Sequence, residues 1–278
     1  MANLLDDAYK YCEQIIAANS KTFYKAFSML PAEKRKAVWA VYAFCRKVDD
    51  IVDEGVNPLV ELEEFECQFT DFKKQAVHLE EPMWIALHDV FSRFEMNVKA
   101  FDDMIKGQRM DLTKKEYETL HEVKYYSYHV ASTVGLMLLP ILAPENHKML
   151  EEDAIALGIA MQLTNILRDI GEDLQRERIY VPEELMNQYG YTKEMMKEKV
   201  INDSFIHLWE HMAQEAELLY EKGLSTLHHY PFSSRMPLKG AAYLYRAILD
   251  TIRKEQYQVF ETKHYVTSEQ KKQIISSI

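Results

Sequence analysis

Long stretches without glycine or proline constrain the fold of this chain most strongly. The 278 residues include 8 glycines and 8 prolines, about 3% of each, against usual shares of roughly 7% and 5%. Residues 32–54 contain neither, and Pro31 stands where the first turn of a helix would begin. Apolar side chains recur there every three or four residues, at Val38, Tyr42, Cys45, Val48 and Val52. This spacing predicts a long helix with one buried face.

Helical spacing continues along most of the chain. It predicts further helices at residues 96–112, 116–139, 144–174, 205–227 and 237–259. Pro144 and Pro237 are expected to open two of them, and Pro182 to restart the chain after a loop. Alternating five-residue strands, internal repeats and long linkers are absent from the sequence. We therefore expect one all-α domain over residues 1–278, without the strand–helix–strand unit that binds dinucleotides.

Charge and cysteine content argue against several classes of protein. The 44 acidic residues exceed the 33 basic ones by 11, and such a surface repels nucleic acid. The cysteines Cys12, Cys45 and Cys67 form no C-x-x-C pair, so neither a disulfide scaffold nor a zinc site is expected. The acidic N-terminus lacks the pattern of a signal peptide, and the longest apolar run, residues 134–143, is too short to span a membrane. These features predict a cytoplasmic protein.

A first acidic cluster ends the predicted helix at residues 32–54. Asp49, Asp50, Asp53 and Glu54 fall within six residues. Asp49 and Asp53 are four residues apart and therefore project from one helix face. Their repulsion costs about 0.2–0.5 kcal/mol, and the negative end of the helix dipole adds to this cost. A solvated acidic helix end is one interpretation, but the apolar residues directly upstream favour a functional site.

A second polar cluster lies within the predicted helix at residues 144–174. Gln162, Asn165, Asp169 and Asp173 fall within an arc of roughly 80° on a face that also carries isoleucines. Burying these groups without partners would cost several kcal/mol. Carboxylate and amide oxygens are the ligands that Mg²⁺ prefers. Two such motifs on separate helices indicate a site for Mg²⁺, with Mn²⁺ as an alternative.

Other kinds of catalytic site find weaker support. The sequence has no G-x-S-x-G elbow and no P-loop. A carboxylate di-iron site would need inward-facing Glu-x-x-His pairs. Glu118 with His121 and Glu261 with His264 have that spacing, but both pairs lie in polar, solvated surroundings, so chance spacing is the better interpretation.

The order of these motifs resembles the squalene/phytoene synthase family, the head-to-head prenyl synthases, and among them the compact bacterial dehydrosqualene synthases. The resemblance covers nearly the whole chain. Besides the two acidic motifs it includes SKTF at residues 20–23, LP at 30–31, WAVYAFCR at 39–46, GQRMDL at 107–112, YSYHVA at 126–131, VG at 134–135 and ERIYVP at 177–182.

The resemblance implies a fold and an activity. The fold is an isoprenoid-synthase helical bundle with a central cavity. The activity is the Mg²⁺-dependent condensation of two farnesyl diphosphates, through presqualene diphosphate, to dehydrosqualene or squalene in isoprenoid and carotenoid biosynthesis. A nicotinamide cofactor is not expected, because no glycine-rich strand–turn–helix is present. Release of an apolar product leaves peripheral contact with a membrane open, and the oligomeric state is open too.

The resemblance also implies roles for individual residues. The expected metal ligands are Asp49, Asp53, Asn165, Asp169 and Asp173. The expected diphosphate contacts are Ser20, Lys21, Thr22, Arg46 and Arg168, and the residues lining the same region are Asn19, Tyr42, Gln162 and Tyr245. The expected walls of the apolar pocket are Phe23, Phe27, Trp39, Tyr126 and Val130, with Tyr126 also counted among the catalytic residues. For Phe27 and Trp39, plain core packing is the alternative.

Two positions depart from the family pattern. Thr262 stands where an arginine is common, and the neighbouring Lys263 offers a point charge in place of a bidentate fork. Ser132 stands where a glycine is usual. Loss of a diphosphate contact at residue 262 leaves a second function open, a phosphatase that releases farnesol from farnesyl diphosphate. A non-catalytic helical assembly protein is the third alternative.

Overall fold

The computed structural model describes residues 2–74 and 80–277. The helices are α1 (Ala2–Asn19), α2 (Lys21–Phe27), α3 (Ala32–Glu54), α4 (Pro58–Lys73), α5 (Pro82–Arg93), α6 (Val98–Thr113), α7 (Leu120–Ser127), α8 (Thr133–Leu142), α9 (Glu151–Gln175), α10 (Glu183–Tyr189), α11 (Lys193–Lys197), α12 (Asp203–Ser225), α13 (Phe232–Lys254) and α14 (Ser268–Ser277). A π-helical turn, Tyr128–Ser132, joins α7 to α8. These residues contain no strand, only an isolated parallel bridge between Glu116 and Ile179. The all-α prediction is confirmed.

The helix starts predicted from two prolines are wrong. Pro237 lies inside α13, which begins five residues earlier at Phe232, directly after Pro231. The Pro231 carbonyl accepts the backbone N–H groups of Ser234 and Arg235 at 2.8 and 3.2 Å. Pro144 is followed by turns and a short 3-10 helix, and α9 begins only at Glu151. The bounds of α3, by contrast, match the prediction, since its apolar stripe runs without a break between a proline and a glycine.

One compact unit contains the first acidic motif. It comprises the described residues of Met1–Thr113, Thr133–Glu151 and Leu227–Leu238. Helices α1, α4, α5, α6 and α8 pack on α3. The Phe44 ring of α3 is fully buried, with ring centroids 4.9–6.0 Å away at Phe65, Phe69, Trp84 and Phe101. This aromatic core fixes the helix that carries the acidic motif.

A second compact unit contains the other motif. It comprises the described residues of Lys114–Ser132, Glu152–Thr226 and Lys239–Ile278. Helix α9 is held by α12, whose buried Trp209 donates its indole N–H to the Leu167 carbonyl at 3.2 Å. The hydroxyls of Tyr220 and Thr164 are 3.0 Å apart. A single domain over residues 1–278 stays a prediction.

The helix lengths and the cysteines complete the description of the fold. Every helix in the described segments is too short or too polar to cross a bilayer. Cys12 and Cys45 are buried free thiols, and Cys67 is an exposed one.

Candidate active site

The first acidic motif occupies the last two turns of α3. Arg46, one turn earlier, lies with Nη1 3.2 Å from Asp49 Oδ2, pairs with Asp50, and lies 3.5 Å from Glu54 Oε1. Gln108 of α6 donates from Nε2 to the other Asp49 oxygen at 3.3 Å. One guanidinium is therefore shared among three carboxylates.

Asp49 has a strongly perturbed proton affinity. Burial among protein atoms and the neighbouring Asp53 carboxylate raise the pKa of Asp49 to about 6, although Arg46 acts in the opposite direction. Its side chain still keeps 39% of its surface exposed, so water and ions reach the carboxylate. A cation bound beside Asp49 would favour the charged form and lower this pKa.

The polar segment before α2 caps this helix. Ser20 is the N-cap, and its Oγ accepts the N–H of Phe23 at 3.3 Å. Asn19 donates its amide to a backbone carbonyl one turn earlier at 2.9 Å. Lys21 is exposed and Thr22 is half-buried. The structure thus places these four predicted site residues at one helix start.

The aromatic residues of this region are stacked. The rings of Phe23 and Phe27 lie 5.8 Å apart and 16° from parallel, and Tyr24 stacks on Trp39 at 6.2 Å. Phe27 and Trp39 are buried, as core packing requires. The indole N–H of Trp39 is also buried and has no hydrogen-bond partner in the described part of the chain. Tyr42 is half-buried on α3.

The second motif begins with an amide pair on α9. Asn165 donates from Nδ2 to Gln162 Oε1 at 3.2 Å. Asn165 Oδ1 is buried and accepts no hydrogen bond from any described residue. A buried acceptor without a donor costs about 1–3 kcal/mol. A hard cation would satisfy this oxygen.

Asp169 is neutralised by two cations. Arg168 donates from Nε and Nη2 to the two Asp169 oxygens at 2.8 and 2.6 Å. Lys263 Nζ lies 3.2 Å from Asp169 Oδ1 and 2.7 Å from Glu172 Oε2. Arg168 and Asp169 are only 13% and 16% exposed. Burial opposes the charge on Arg168, but the bond to Asp169 outweighs it and raises the pKa of Arg168.

Tyr245 and Asp173 complete the polar surroundings of α9. Tyr245 of α13 hydrogen-bonds with Arg168, and burial raises the pKa of its phenol. The Asp173 carbonyl accepts the N–H groups of Arg176 and Arg178 at 3.0 and 2.9 Å. These bonds end the helix just after the motif.

The two residues that depart from the family pattern, Thr262 and Ser132, lie in different surroundings. Thr262 is exposed, and its neighbour Lys263 supplies positive charge to the second motif. Ser132 is buried and donates its hydroxyl to the Ile155 carbonyl at 2.7 Å. A Cβ on Gly158 would lie 2.4 Å from the Ser132 Cα. Glycine at residue 158 therefore lets α9 approach the π-helical turn closely.

Tyr126 belongs to a cluster of three buried tyrosines. Its ring lies 5.1 Å from Tyr180 at 22°, and Tyr117 lies 5.5 Å from Tyr126 and 5.6 Å from Tyr180. The hydroxyl of Tyr126 donates to that of Tyr180 at 3.4 Å. Val130, in the π-helical turn, is half-buried.

Sequence reasoning assigned no role to three residues that contact the predicted site. These are Gln108, which bonds Asp49, and Tyr117 and Tyr180, which stack on Tyr126. The signal was available for two of them, because Gln108 lies in the GQRMDL run and Tyr180 in the ERIYVP run.

The di-iron pattern finds no support. Glu261 pairs with Lys199 at 3.0 Å, and His264 Nε2 lies 2.7 Å from the Gln258 carbonyl oxygen. His264 is buried, contrary to the expectation of a solvated residue, because it closes a tight turn of the chain. Over the ranges that the structure describes, no three His, Cys, Asp or Glu side chains form a group that could hold a metal ion.

The donor atoms fit Mg²⁺ that shares its ligands with a substrate. Mg²⁺ usually takes one or two carboxylates, keeps several waters and binds substrate phosphates. In the first unit the half-exposed Asp49 carboxylate offers hard oxygen donors of this kind, and in the second unit, taken by itself, so does the unsatisfied Asn165 Oδ1. A preformed cluster of three acids is not required for such a site.

The helical fold carries two aspartate motifs, each beside an arginine. The family described as squalene/phytoene synthase matches residues 16–270, and the chain belongs to this family. It is 39% identical to a phytoene synthase of Arthrospira platensis, over 94% of this chain and 88% of the relative.

Solved structures of related proteins give the same fold. A dehydrosqualene synthase in complex with a ligand is 42% identical, with a TM-score of 0.94 over 98% of this chain and 95% of its own. The squalene synthase HpnC from Alicyclobacillus acidocaldarius is 25% identical, with a TM-score of 0.85 over 92% of this chain and 97% of its own.

Proposed function

We propose that this protein joins two farnesyl diphosphates head to head, through presqualene diphosphate, to a C30 hydrocarbon. The observation that carries the proposal is the 42% identity to a dehydrosqualene synthase over 98% of the chain. Both acidic motifs and their neighbouring arginines are present in this sequence. A non-catalytic assembly protein would gain nothing from these clustered carboxylates.

The acidic motifs are the proposed metal ligands. Mg²⁺, or Mn²⁺ in its place, would neutralise the diphosphate and make it a better leaving group. The ligands are Asp49, Asp53, Asn165, Asp169 and Asp173. The raised pKa of Asp49 and the unsatisfied oxygen of Asn165 support this assignment, since a cation relieves both.

Neighbouring side chains are the proposed diphosphate contacts. Arg46, Arg168 and Lys21 carry the positive charge, and the two arginines present planar donors suited to phosphate oxygens. The remaining polar contacts are Ser20 and Thr22, and the residues lining the same region are Asn19, Tyr42, Gln162 and Tyr245.

Aromatic rings are the proposed surroundings of the cation that remains when diphosphate leaves. Water would capture such a cation, so its pocket must be apolar and closed, and aromatic faces attract positive charge. Phe23, Phe27 and Tyr126 are the candidates. Stacking on Tyr180 holds the Tyr126 ring in one orientation.

The proposed ending is free of hydride transfer and gives dehydrosqualene. The test is incubation with farnesyl diphosphate and Mg²⁺, with and without reduced nicotinamide, followed by extraction and mass analysis. We expect dehydrosqualene in both reactions. Squalene that appears only with reduced nicotinamide would refute this ending.

Condensation of two C20 diphosphates is the second candidate, and the 39% identity to a phytoene synthase favours it. We expect the stacked Phe23 and Phe27 to limit the pocket to a C15 tail. Phe27→Ala should then increase the use of geranylgeranyl diphosphate, whereas Phe72→Ala, in the aromatic core of the first unit, should not. A wild-type preference for geranylgeranyl diphosphate would identify the C20 substrate.

Release of farnesol is the third outcome that the same assay detects. Thr262→Arg adds the charge that is common in the family, and it should raise the ratio of C30 product to C15 alcohol. An alcohol-only product that Thr262→Arg leaves unchanged would show that residue 262 is not its cause.

A further inference from the structure

The segment after α13 turns back sharply. Gln256 and Tyr257 have left-handed φ angles of 53° and 59°, and the Tyr257 N–H donates to the Ile252 carbonyl at 2.9 Å. We call the following residues, 258–264, the C-terminal strap. Its turn is closed by His264, whose Nε2 lies 2.7 Å from the Gln258 carbonyl oxygen.

Gly171 is the docking point of the strap on α9. The Gly171 N–H donates to the Val259 carbonyl at 3.2 Å. A Cβ at residue 171 would lie 2.0 Å from the Phe260 carbonyl oxygen and 2.5 Å from its carbon. The Phe260 ring packs 5.2 Å from that of Phe205. Only glycine therefore lets the strap lie against the second motif.

The docked strap places Lys263 beside Asp169, a carboxylate that Arg168 contacts more closely. Arg168 contacts both Asp169 oxygens and is 13% exposed, whereas Lys263 makes one contact with Asp169, at 3.2 Å, and is 35% exposed. Glu172 holds the same ammonium at 2.7 Å. Lys263 is thus the more easily displaced of the two cations, and it keeps a partner when it leaves Asp169.

We propose that Lys263 is a resident counter-cation that competes with the divalent metal for Asp169. In the metal-free protein the ammonium neutralises this carboxylate. When a metal binds Asp169, the ammonium stays with Glu172. Lys263 therefore acts as a positioning residue that sets the metal affinity of the second motif. The inference rests on the proposed function, because it takes Asp169 as a metal ligand.

Binding of Mn²⁺ alone, without substrate, tests the proposal. The measurement is the electron paramagnetic resonance signal of free Mn²⁺ during titration of the full-length protein. Lys263→Met should bind Mn²⁺ about two to five times more tightly than wild type. This factor corresponds to the free energy of a partly exposed ion pair. Lys263→Arg keeps the charge and should remain close to wild type. The matched control is Lys199→Met, which removes an ion pair to Glu261 of the same strap and should change nothing.

A double-mutant cycle locates the effect. The gain from Lys263→Met should vanish in an Asp169→Asn background, because the competition is for that carboxylate. Equal or weaker Mn²⁺ binding by Lys263→Met would overturn the proposal, as would a gain that survives Asp169→Asn. Circular dichroism and melting curves of each variant show whether it is folded.

The same proteins separate this inference from the proposed function. A wild-type protein that forms prenyl product while Lys263→Met leaves Mn²⁺ affinity unchanged would overturn the inference alone. Tighter Mn²⁺ binding by Lys263→Met in a protein that forms no prenyl product would overturn the proposed function alone.

Discussion

The two acidic motifs differ in how the protein balances their charge. At the end of α3, one guanidinium, that of Arg46, contacts three carboxylates, and the pKa of Asp49 is raised to about 6. Within α9, one carboxylate, that of Asp169, contacts two cations, Arg168 and Lys263. At the first motif, carboxylates outnumber the cation that contacts them. At the second motif, cations outnumber the carboxylate that they share.

The difference follows from how exposed each motif is and from what packs against it. The α3 motif lies at a helix C-terminus, where the dipole disfavours carboxylates, and it stays partly exposed. The α9 motif also lies in the last turns of its helix, which ends at Gln175, but it is less exposed and is bordered by the strap. A poorly exposed carboxylate must be paired in the metal-free protein. We infer that a metal adds missing positive charge at the first motif. At the second motif, a metal must replace a cation that is already bound to the carboxylate.

The largest expected effect is on turnover. Asp49→Asn and Asp169→Asn should each lower product formation at saturating Mg²⁺ about a hundredfold or more, because each removes a charged metal ligand. Circular dichroism should show that the helices persist. Glu95→Gln is the control, since Glu95 pairs only with the exposed Lys148 among its ion pairs in the described residues. Full activity in a chelator, or in Asp169→Asn, would contradict the metal assignment.

Gly171→Ala tests the contact between the strap and the second motif. The added Cβ would overlap the Phe260 carbonyl, so the free energy of unfolding should fall by about 1–3 kcal/mol. Gly190→Ala is the control. It has a left-handed φ of 66° with open space around its Cβ, and should cost only about 1 kcal/mol. Denaturant unfolding measures both values. If Gly171→Ala had the same free energy of unfolding as wild type, the strap could shift away from residue 171 without loss of stability.

The metal-free stability of two asparagine variants should differ in sign. Asp169→Asn leaves the poorly exposed Arg168 without its charged partner, and should lower the free energy of unfolding by about 1–3 kcal/mol. Asp49→Asn removes a carboxylate whose charge is disfavoured, and should raise the melting temperature at pH 7.5. Melting curves in a chelator make the comparison. Equal shifts of the two melting temperatures in the same direction would contradict the proposed difference in charge balance between the motifs.

The smallest effect concerns pH. The unfolded pKa of an aspartate is about 3.9, and that of folded Asp49 is about 6. The folded protein therefore holds this proton more tightly, so Asp49 lowers the free energy of unfolding as pH rises from about 4 to about 6. The melting temperature of Asp49→Asn relative to wild type should rise across this range and then level off. A relative fall would contradict the raised pKa, and added Mg²⁺ should stabilise wild type more than the variant.

Much of the helical framework was predictable from the sequence. The bounds of α3 matched because apolar spacing and flanking breakers agree there. Helix α13 started earlier than Pro237 because its first turn is built on the carbonyl of another proline, Pro231. The carboxylates of each motif were recognised from spacing. Their partners Gln108 and Lys263 belong to other helices or loops, and periodicity carries no information about which helix faces which.

The sequence by itself determined the helical class, the family motifs and the helix face on which each acidic side chain lies. Tertiary structure decided which distant side chains contact those acids. Gln108 reaches Asp49 from 59 residues away, and Lys263 reaches Glu172 from 91 residues away. The physical reason is that backbone hydrogen bonding fixes neighbours three and four residues apart, while contacts over such separations exist only after helices and strap have packed.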